Sequence, residues 1–105
     1  MSKVAPIIRS RITLFSRDNC GLCTKAKDVL SQVWDKRPYL YKEVNLAEPK
    51  AKNWRNLYDF DIPVIHINRL DAGEEEYGRV SKALKLMHRF TPEEVLAKMD
   101  QVEAD

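Results

Sequence analysis

The sequence predicts an α/β fold in which a small sheet is covered by helices on both faces. Three observations carry that expectation. The apolar runs Ile12-Thr13-Leu14-Phe15 and Ile62–Asn68 have the length and β-branched content of buried strands. Stretches with apolar residues at helical spacing lie between and after them. The two kinds of segment alternate along the chain, and layering helices on a sheet is the economical packing for that order.

Taken in order, Arg11 to Ser16 is the first strand, running out into the polar cluster Ser16 to Asn19. Leu22, Ala26, Val29, Leu30 and Val33 then share one helical face, giving a helix from about Gly21 to Trp34 that Arg37-Pro38 stops. Tyr39 to Leu46 alternates, with Leu40, Val44 and Leu46 on one side, and forms a second strand. A right-handed crossover makes these two strands parallel. Ala51, Trp54 and Leu57 recur every third residue in a short helix over Pro49 to Leu57. Ile62 to Asn68 is a central strand entered through Pro63, where no ladder donor is needed. The charged stretch from Arg69 to Lys82, with Gly73 and Gly78, reads as a loop. Ala83 to Phe90 fits two templates: Leu84, Leu86 and Phe90 alternate, whereas Val80, Leu84 and Met87 suit a helix. A strand is preferred, because Thr91-Pro92-Glu93-Glu94 starts a new helix with a cap, a first-turn proline and a capping-box glutamate. That last helix runs to about Val102 and buries Val95, Leu96 and Met99. The order is β-α-β-α-β-β-α, without internal repeats.

Composition narrows the function classes. The 105 residues suit a single domain, with residues 1–10 as a flexible N-terminus. A net charge of +2 from 18 basic and 16 acidic side chains gives no electrostatic case for nucleic acid or an anionic membrane. No apolar run is long enough to span a bilayer. Two cysteines do not make the disulfide framework of a small secreted domain, so a soluble, monomeric, cytoplasmic protein is expected. Lys3, Arg9, Arg11 and Arg17 precede the first acid, Asp18, among several serines; the mitochondrial matrix is therefore the alternative compartment.

Both cysteines lie in Cys20-Gly21-Leu22-Cys23, directly after the first strand and at the start of the first helix. The free amides of a first helical turn and the helix dipole favour an anion there, and Arg17 and Lys25 add positive charge nearby. If the Cys20 pKa fell from about 8.5 to about 6.5, the thiolate fraction at pH 7 would rise from roughly 3% to roughly 75%. Lower basicity takes back a factor of roughly 6–10 in nucleophilicity, so the larger gain is in Cys20 as a leaving group. Cys23, one helical turn on and more buried, is placed to attack it. Three other readings compete with a redox dithiol. They are a structural disulfide, a zinc site completed by His66 and His88, and two inert cysteines on a helix face. Of the remaining residues, His66 reads as a satisfied core histidine and His88 as a strand-face residue. Trp34 and Trp54 read as helix packing residues, and Glu74-Glu75-Glu76 as a solvated loop tip. Tyr39 and Tyr41 receive no role.

Ser16-Arg17-Asp18-Asn19-Cys20-Gly21-Leu22-Cys23 resembles the glutaredoxin pattern Ser-Lys-x-x-Cys-x-x-Cys, and Ile62-Pro63 is similar to that family's cis-proline loop. The chain thus resembles a small glutaredoxin-like protein of the thioredoxin-fold superfamily over nearly its whole length. The resemblance implies a four-stranded mixed sheet of order 2-1-3-4 and a cis Pro63 packed beside the dithiol. It makes Cys20 the nucleophile and Cys23 the resolving thiol, with Gly21, Leu22 and Lys25 supporting them. It also gives Arg17 a glutathione carboxylate and the backbone of Ile62 a bound peptide or glutathione. The implied activity is reduction of protein or glutathione mixed disulfides, with no bound metal or organic cofactor and with glutathione as co-substrate. The alternative is a non-catalytic thioredoxin-fold binding module with a redox-responsive CxxC. The chain departs from the family pattern in five places, two of which are Asp61-Ile62-Pro63 in place of the threonine-valine-proline loop and Gly21-Leu22 in place of Pro-Tyr or Gly-Pro between the cysteines. Arg89-Phe90-Thr91-Pro92-Glu93 stands where a glycine pair is usual, Asn19 precedes the dithiol in place of an aromatic residue, and the loop from Arg69 to Lys82 is long.

Overall fold

A computed structural model describes residues 7–79 and 81–104. Four strands form one sheet: β1 (Ser10–Ser16), β2 (Leu40–Asn45), β3 (Val64–Arg69) and β4 (Leu84–Met87). Their spatial order is β2-β1-β3-β4, with β1 parallel to β2 and the other two pairings antiparallel. Three helices cover it: α1 (Gly21–Lys36), α2 (Lys52–Tyr58) and α3 (Pro92–Glu103). The order and mixed sheet are those the glutaredoxin resemblance implies. Of the N-terminal stretch expected to be flexible, residues 1–6 lie outside the described residues, as do Val80 and Asp105, whereas Ser10 is already in β1, paired with Arg69 and buried.

Register explains the two layers. Ile12 pairs with Ile67 and Leu14 with Ile65, and their side chains share one face. There they meet Ala26, Leu30 and Val33 of α1 and Val95 and Met99 of α3, in the larger core. The alternate pair, Phe15 with Val64, points to the other face and packs with Leu46, Ala51 and Tyr58. Thr91 caps α3 as expected: its hydroxyl accepts the Glu94 N–H at 3.1 Å and the Glu94 carboxylate accepts the Thr91 N–H at 3.1 Å.

Several sequence expectations are corrected. The second helix opens with a 3₁₀ turn at Pro49–Ala51 before α2 begins. The chain then follows the 3.6-residue period, so Tyr58 rather than Leu57 completes the buried face. Leu40 is exposed because it lies on the outer strand, away from the Leu46 end that α2 covers, whereas Tyr39 is buried and donates to the Leu30 carbonyl at 2.7 Å. Trp34 is half-exposed near the end of α1. His88 follows β4 instead of belonging to it, at φ 64°, a left-handed conformation that glycine adopts more readily.

The stretch after β3 is more than a solvated loop. Helix α2 has seven residues, too few to cover the whole second face of the sheet, and this segment covers the rest. Lys42 of β2 holds Glu74 at 3.1 Å, and the Tyr77 ring meets Trp54 edge-on at 5.5 Å. Glu75 turns inward, its side chain 7% exposed, to lie 3.4 Å from His66 Nδ1.

Candidate functional site

The carboxyl end of β1 delivers the chain into a tight turn at Asp18-Asn19, and Asn19 takes φ 59°, a conformation its short polar side chain tolerates. Cys20 is then the N-cap of α1. Its backbone is extended (φ −115°, ψ 110°), its carbonyl accepts the Thr24 N–H at 3.1 Å, and its Sγ accepts the Cys23 N–H at 3.1 Å. The sulfur thus occupies the place where an N-cap oxygen usually satisfies a first-turn amide. No acidic residue stands in that first turn to oppose a negative charge on the sulfur.

Cys20 and Cys23 are joined in a disulfide with Cα atoms 5.2 Å apart. Cys20 is partly exposed and Cys23 is 2% exposed. The helix causes this asymmetry: Cys23 starts the buried stripe that continues through Ala26, Leu30 and Val33, while the cap position lies at the rim. An incoming sulfur therefore reaches Cys20 first.

The Ile62-Pro63 bond is cis. Pro63 is fully buried at the start of β3, and its carbonyl accepts the His88 N–H at 2.8 Å, tying the loop after β4 to the proline turn. Ile62 packs half-buried on the second core. Arg17 forms an ion pair with Asp59 at 2.8 Å, which bridges the turn after β1 to the one after α2. A ligand carboxylate at Arg17 would share the guanidinium with Asp59. Gly21 opens α1, exposed, with no atom near its missing Cβ; Leu22 is half-buried, and Lys25 is exposed one turn into the helix.

His66 stands apart from the dithiol, on the face that α2 and the long loop cover. Its Nε2 and the Tyr58 hydroxyl share a 2.7 Å hydrogen bond, and its ring packs against Phe15 at 4.8 Å. It is a core histidine as expected, but only half satisfied: among the described residues its Nδ1 has no hydrogen-bond partner, with Glu75 at 3.4 Å. Among the described residues no group of three His, Cys, Asp or Glu side chains is arranged to hold a metal. Burial pushes the His66 imidazole below its ordinary value of 6.5, Glu75 opposes that shift and Lys85 adds to it. On unfolding the ring regains water and takes up a proton more readily, so its contribution to stability is complete above about pH 6.5 and is lost as the pH falls. The limiting slope for one group is about 1.4 kcal/mol per pH unit. Urea midpoints at pH 7.5 and 5.5 are expected to differ more for the wild type than for His66→Gln. Equal decrements in both proteins would assign the acid sensitivity to other groups.

The sequence model of the glutaredoxin-like domain family (Glrx-like, DUF836) matches residues 11–100. Among solved structures, a Northeast Structural Genomics target protein from X. campestris superposes with a TM-score of 0.59 at 23% identity, covering 86% of this chain and 96% of that one. Chloroplastic thioredoxin z gives a TM-score of 0.68 at 21% identity, over 91% of this chain and 80% of its own. Thioredoxin O2 from Arabidopsis thaliana, in its oxidized state, gives 0.62 at 14% identity over 90% and 76%. At these identities the likeness is one of fold, and that fold is the thioredoxin fold.

Proposed function

This chain belongs to the glutaredoxin-like domain family, and on that premise we propose that it is a thiol–disulfide oxidoreductase that reduces protein or glutathione mixed disulfides. The coarse reading, a redox-type function, is supported by the family and by the closed Cys20–Cys23 pair in a thioredoxin fold. The observation that carries the finer reading is the position of Cys20: a partly exposed sulfur serving as the N-cap of α1, with the buried Cys23 one turn behind it.

In the reduced protein the Cys20 thiolate attacks one sulfur of a substrate disulfide. A Cys20–substrate disulfide forms, and the other substrate sulfur leaves as a thiolate that takes a proton from water. Cys23 then loses its proton and attacks Cys20 Sγ, expelling the second substrate thiolate and closing the Cys20–Cys23 bond. Two electrons and two protons have passed to the substrate. Two equivalents of an external thiol, glutathione in the reading the resemblance supplies, return them. First-turn amides stabilise the Cys20 thiolate both as attacking group and as leaving group. The dithiol supplies the electrons for this reaction, and the chain's own groups orient it. The turn at Pro63 and the backbone of Ile62 are the surface on which the substrate strand rests in this reading, with Arg17 at its edge.

The test is the rate of Cys20 alkylation by iodoacetamide against pH, in protein reduced beforehand. A capped, activated thiol is expected to show a midpoint at least about one unit below the 8.5 of a free cysteine. A midpoint at or above that value leaves a thioredoxin-fold binding module with an unreactive CxxC and ends the catalytic reading.

A further inference from the structure

Next to the dithiol a groove of about 230 Å³ separates the first turns of α1 from the loop that joins β4 to α3. Leu22, Ala26 and Phe90 make an apolar floor, and Lys25, His88 and Arg89 stand around it. Leu22 lies between the two cysteines, and Ala26 and Val29 follow it at i+4 and i+7, so the groove begins at the Cys-x-x-Cys turn and runs along one face of the helix. Its far wall is fixed by the hydrogen bond from His88 to Pro63. The groove thus neighbours the dithiol through Leu22 and is tied to the proline turn through His88.

The charge on this surface is one-sided. No carboxylate lines the groove; Asp28 and Glu93, near it in sequence, are exposed and lie outside the lining. Several cations elsewhere are held by acids, among them Arg17 by Asp59, Lys27 by Glu43, Arg37 by Asp100 and Lys42 by Glu74, whereas others such as Lys36 and Lys98 stand singly on the surface among the described residues. Among the described residues no ion pair engages Lys25, His88 or Arg89. Two fixed positive charges and a histidine thus face an apolar trough with no internal counter-charge, although the chain as a whole is nearly balanced at +2.

We propose that this groove is the specificity site of the dithiol and that it selects polypeptide substrates with acidic side chains beside the reacting cysteine. The proposal rests on the oxidoreductase reading and names its substrate class. An acidic flank entering the groove places its carboxylate between Lys25 and Arg89 while its methylenes cover Leu22 and Phe90. That combination of charge complementarity with apolar contact favours an acidic neighbour over a neutral one and disfavours a basic one. Because the cations are exposed, the preference is screened by salt over a length of about 8–10 Å at 0.1–0.15 M.

Two measurements test it. The first is fluorescence anisotropy of a labelled, cysteine-free acidic peptide with the oxidised protein, which needs no turnover. The second is kcat/KM, with dithiothreitol as reductant, for three disulfide-linked peptide pairs identical except for acidic, neutral or basic flanks. Each rate is read relative to the neutral pair, so that any change in Cys20 reactivity cancels. The wild type is expected to favour the acidic over the neutral pair by about five- to tenfold at low salt, a preference that shrinks in 0.5 M salt. In Lys25→Glu/Arg89→Glu it is expected to invert toward the basic pair. Equal rates for all three pairs, or a preference that survives the double substitution, overturn the proposal while leaving the oxidoreductase reading intact. Peptide binding that the double substitution abolishes, without reduction of any pair, keeps the groove and removes the oxidoreductase reading. Rates that follow the flanks only through glutathione, and not with dithiothreitol, also overturn it, since the groove would then serve the tripeptide.

Discussion

Replacement of Cys20 by serine is expected to abolish disulfide reduction, by a factor on the order of 10³ or more, whatever the substrate. The hydroxyl that replaces the thiol stays protonated at neutral pH and attacks sulfur poorly, and no second exposed thiol exists in a chain with two cysteines. The same substitution in place of Cys23 acts on a later step. Cys23→Ser still permits attack by Cys20, and the mixed disulfide then accumulates for want of the buried thiol that expels it. With a protein disulfide as substrate, the Cys23→Ser protein is expected to stop after one equivalent and to run as a covalent adduct on a non-reducing gel. With a small glutathionylated disulfide and free glutathione, an external thiol can do the expelling and turnover continues. Steady-state rates and non-reducing mass spectrometry of the two variants separate these cases. Full activity in Cys20→Ser, or an adduct formed through Cys23, would reverse the assigned roles. The asymmetry follows from the partly exposed cap sulfur and the buried one at the head of the α1 stripe.

That asymmetry was legible in the sequence, because it depends only on local chemistry. A cysteine at the first non-helical position before an amphipathic run is an N-cap, and the residue three further on shares the face of Ala26, Leu30 and Val33. Thr91, Pro92 and Glu94 announced α3 for the same reason: a capping box involves residues three apart. The strands were legible from alternation. What escaped was set by distant partners. Glu75 looked like the middle of a solvated acidic run, and its burial depends on His66, nine residues back and on another element. The loop that carries Glu75 packs onto the same face as α2, through Lys42, His66 and Trp54, contacts that no window of sequence reports. Arg17 looked free to bind a ligand, and its pairing with Asp59 exists only because two turns meet at one end of the sheet. Alternation in Leu84 and Leu86 runs on to Phe90 and makes His88 look like a strand residue, but its left-handed backbone ends the strand before Phe90. That break carries Arg89 and Phe90 to the groove beside α1, which no spacing rule indicates.

The second large effect is expected at Phe15. Its side chain is fully buried, with ring centroids 4.6 Å from Trp54, 4.8 Å from His66 and 5.2 Å from Tyr58. It also sits in register between Val44 of β2 and Val64 of β3. Helix α2 and strand β3 therefore both meet this one ring, and their room to collapse into its space is small: the flanking strands are fixed in the ladder, and Tyr58 and His66 are held to each other at 2.7 Å. Phe15→Ala should accordingly sit in the upper part of the range for such changes, about 3–5 kcal/mol. For a domain of this size that lowers Tm by more than about 12 °C, a large share of a total stability of about 5–15 kcal/mol. Phe60→Ala is the matched control, since Phe60 is 94% exposed and its removal should move stability by less than about 0.5 kcal/mol. Thermal and urea unfolding of the two variants decide the matter. A loss at Phe15 below about 1.5 kcal/mol would mean that the second core relaxes around the gap, and that α2 and the long loop are not anchored by it. The expected loss also bears on the dithiol, because Phe15 and Val64 are the last β1–β3 pair at the end of the sheet where the turns to Cys20 and Pro63 lie. Weakening that pair loosens both walls of the site at once, so reduced Phe15→Ala is expected to lose disulfide reduction at temperatures well below its own midpoint.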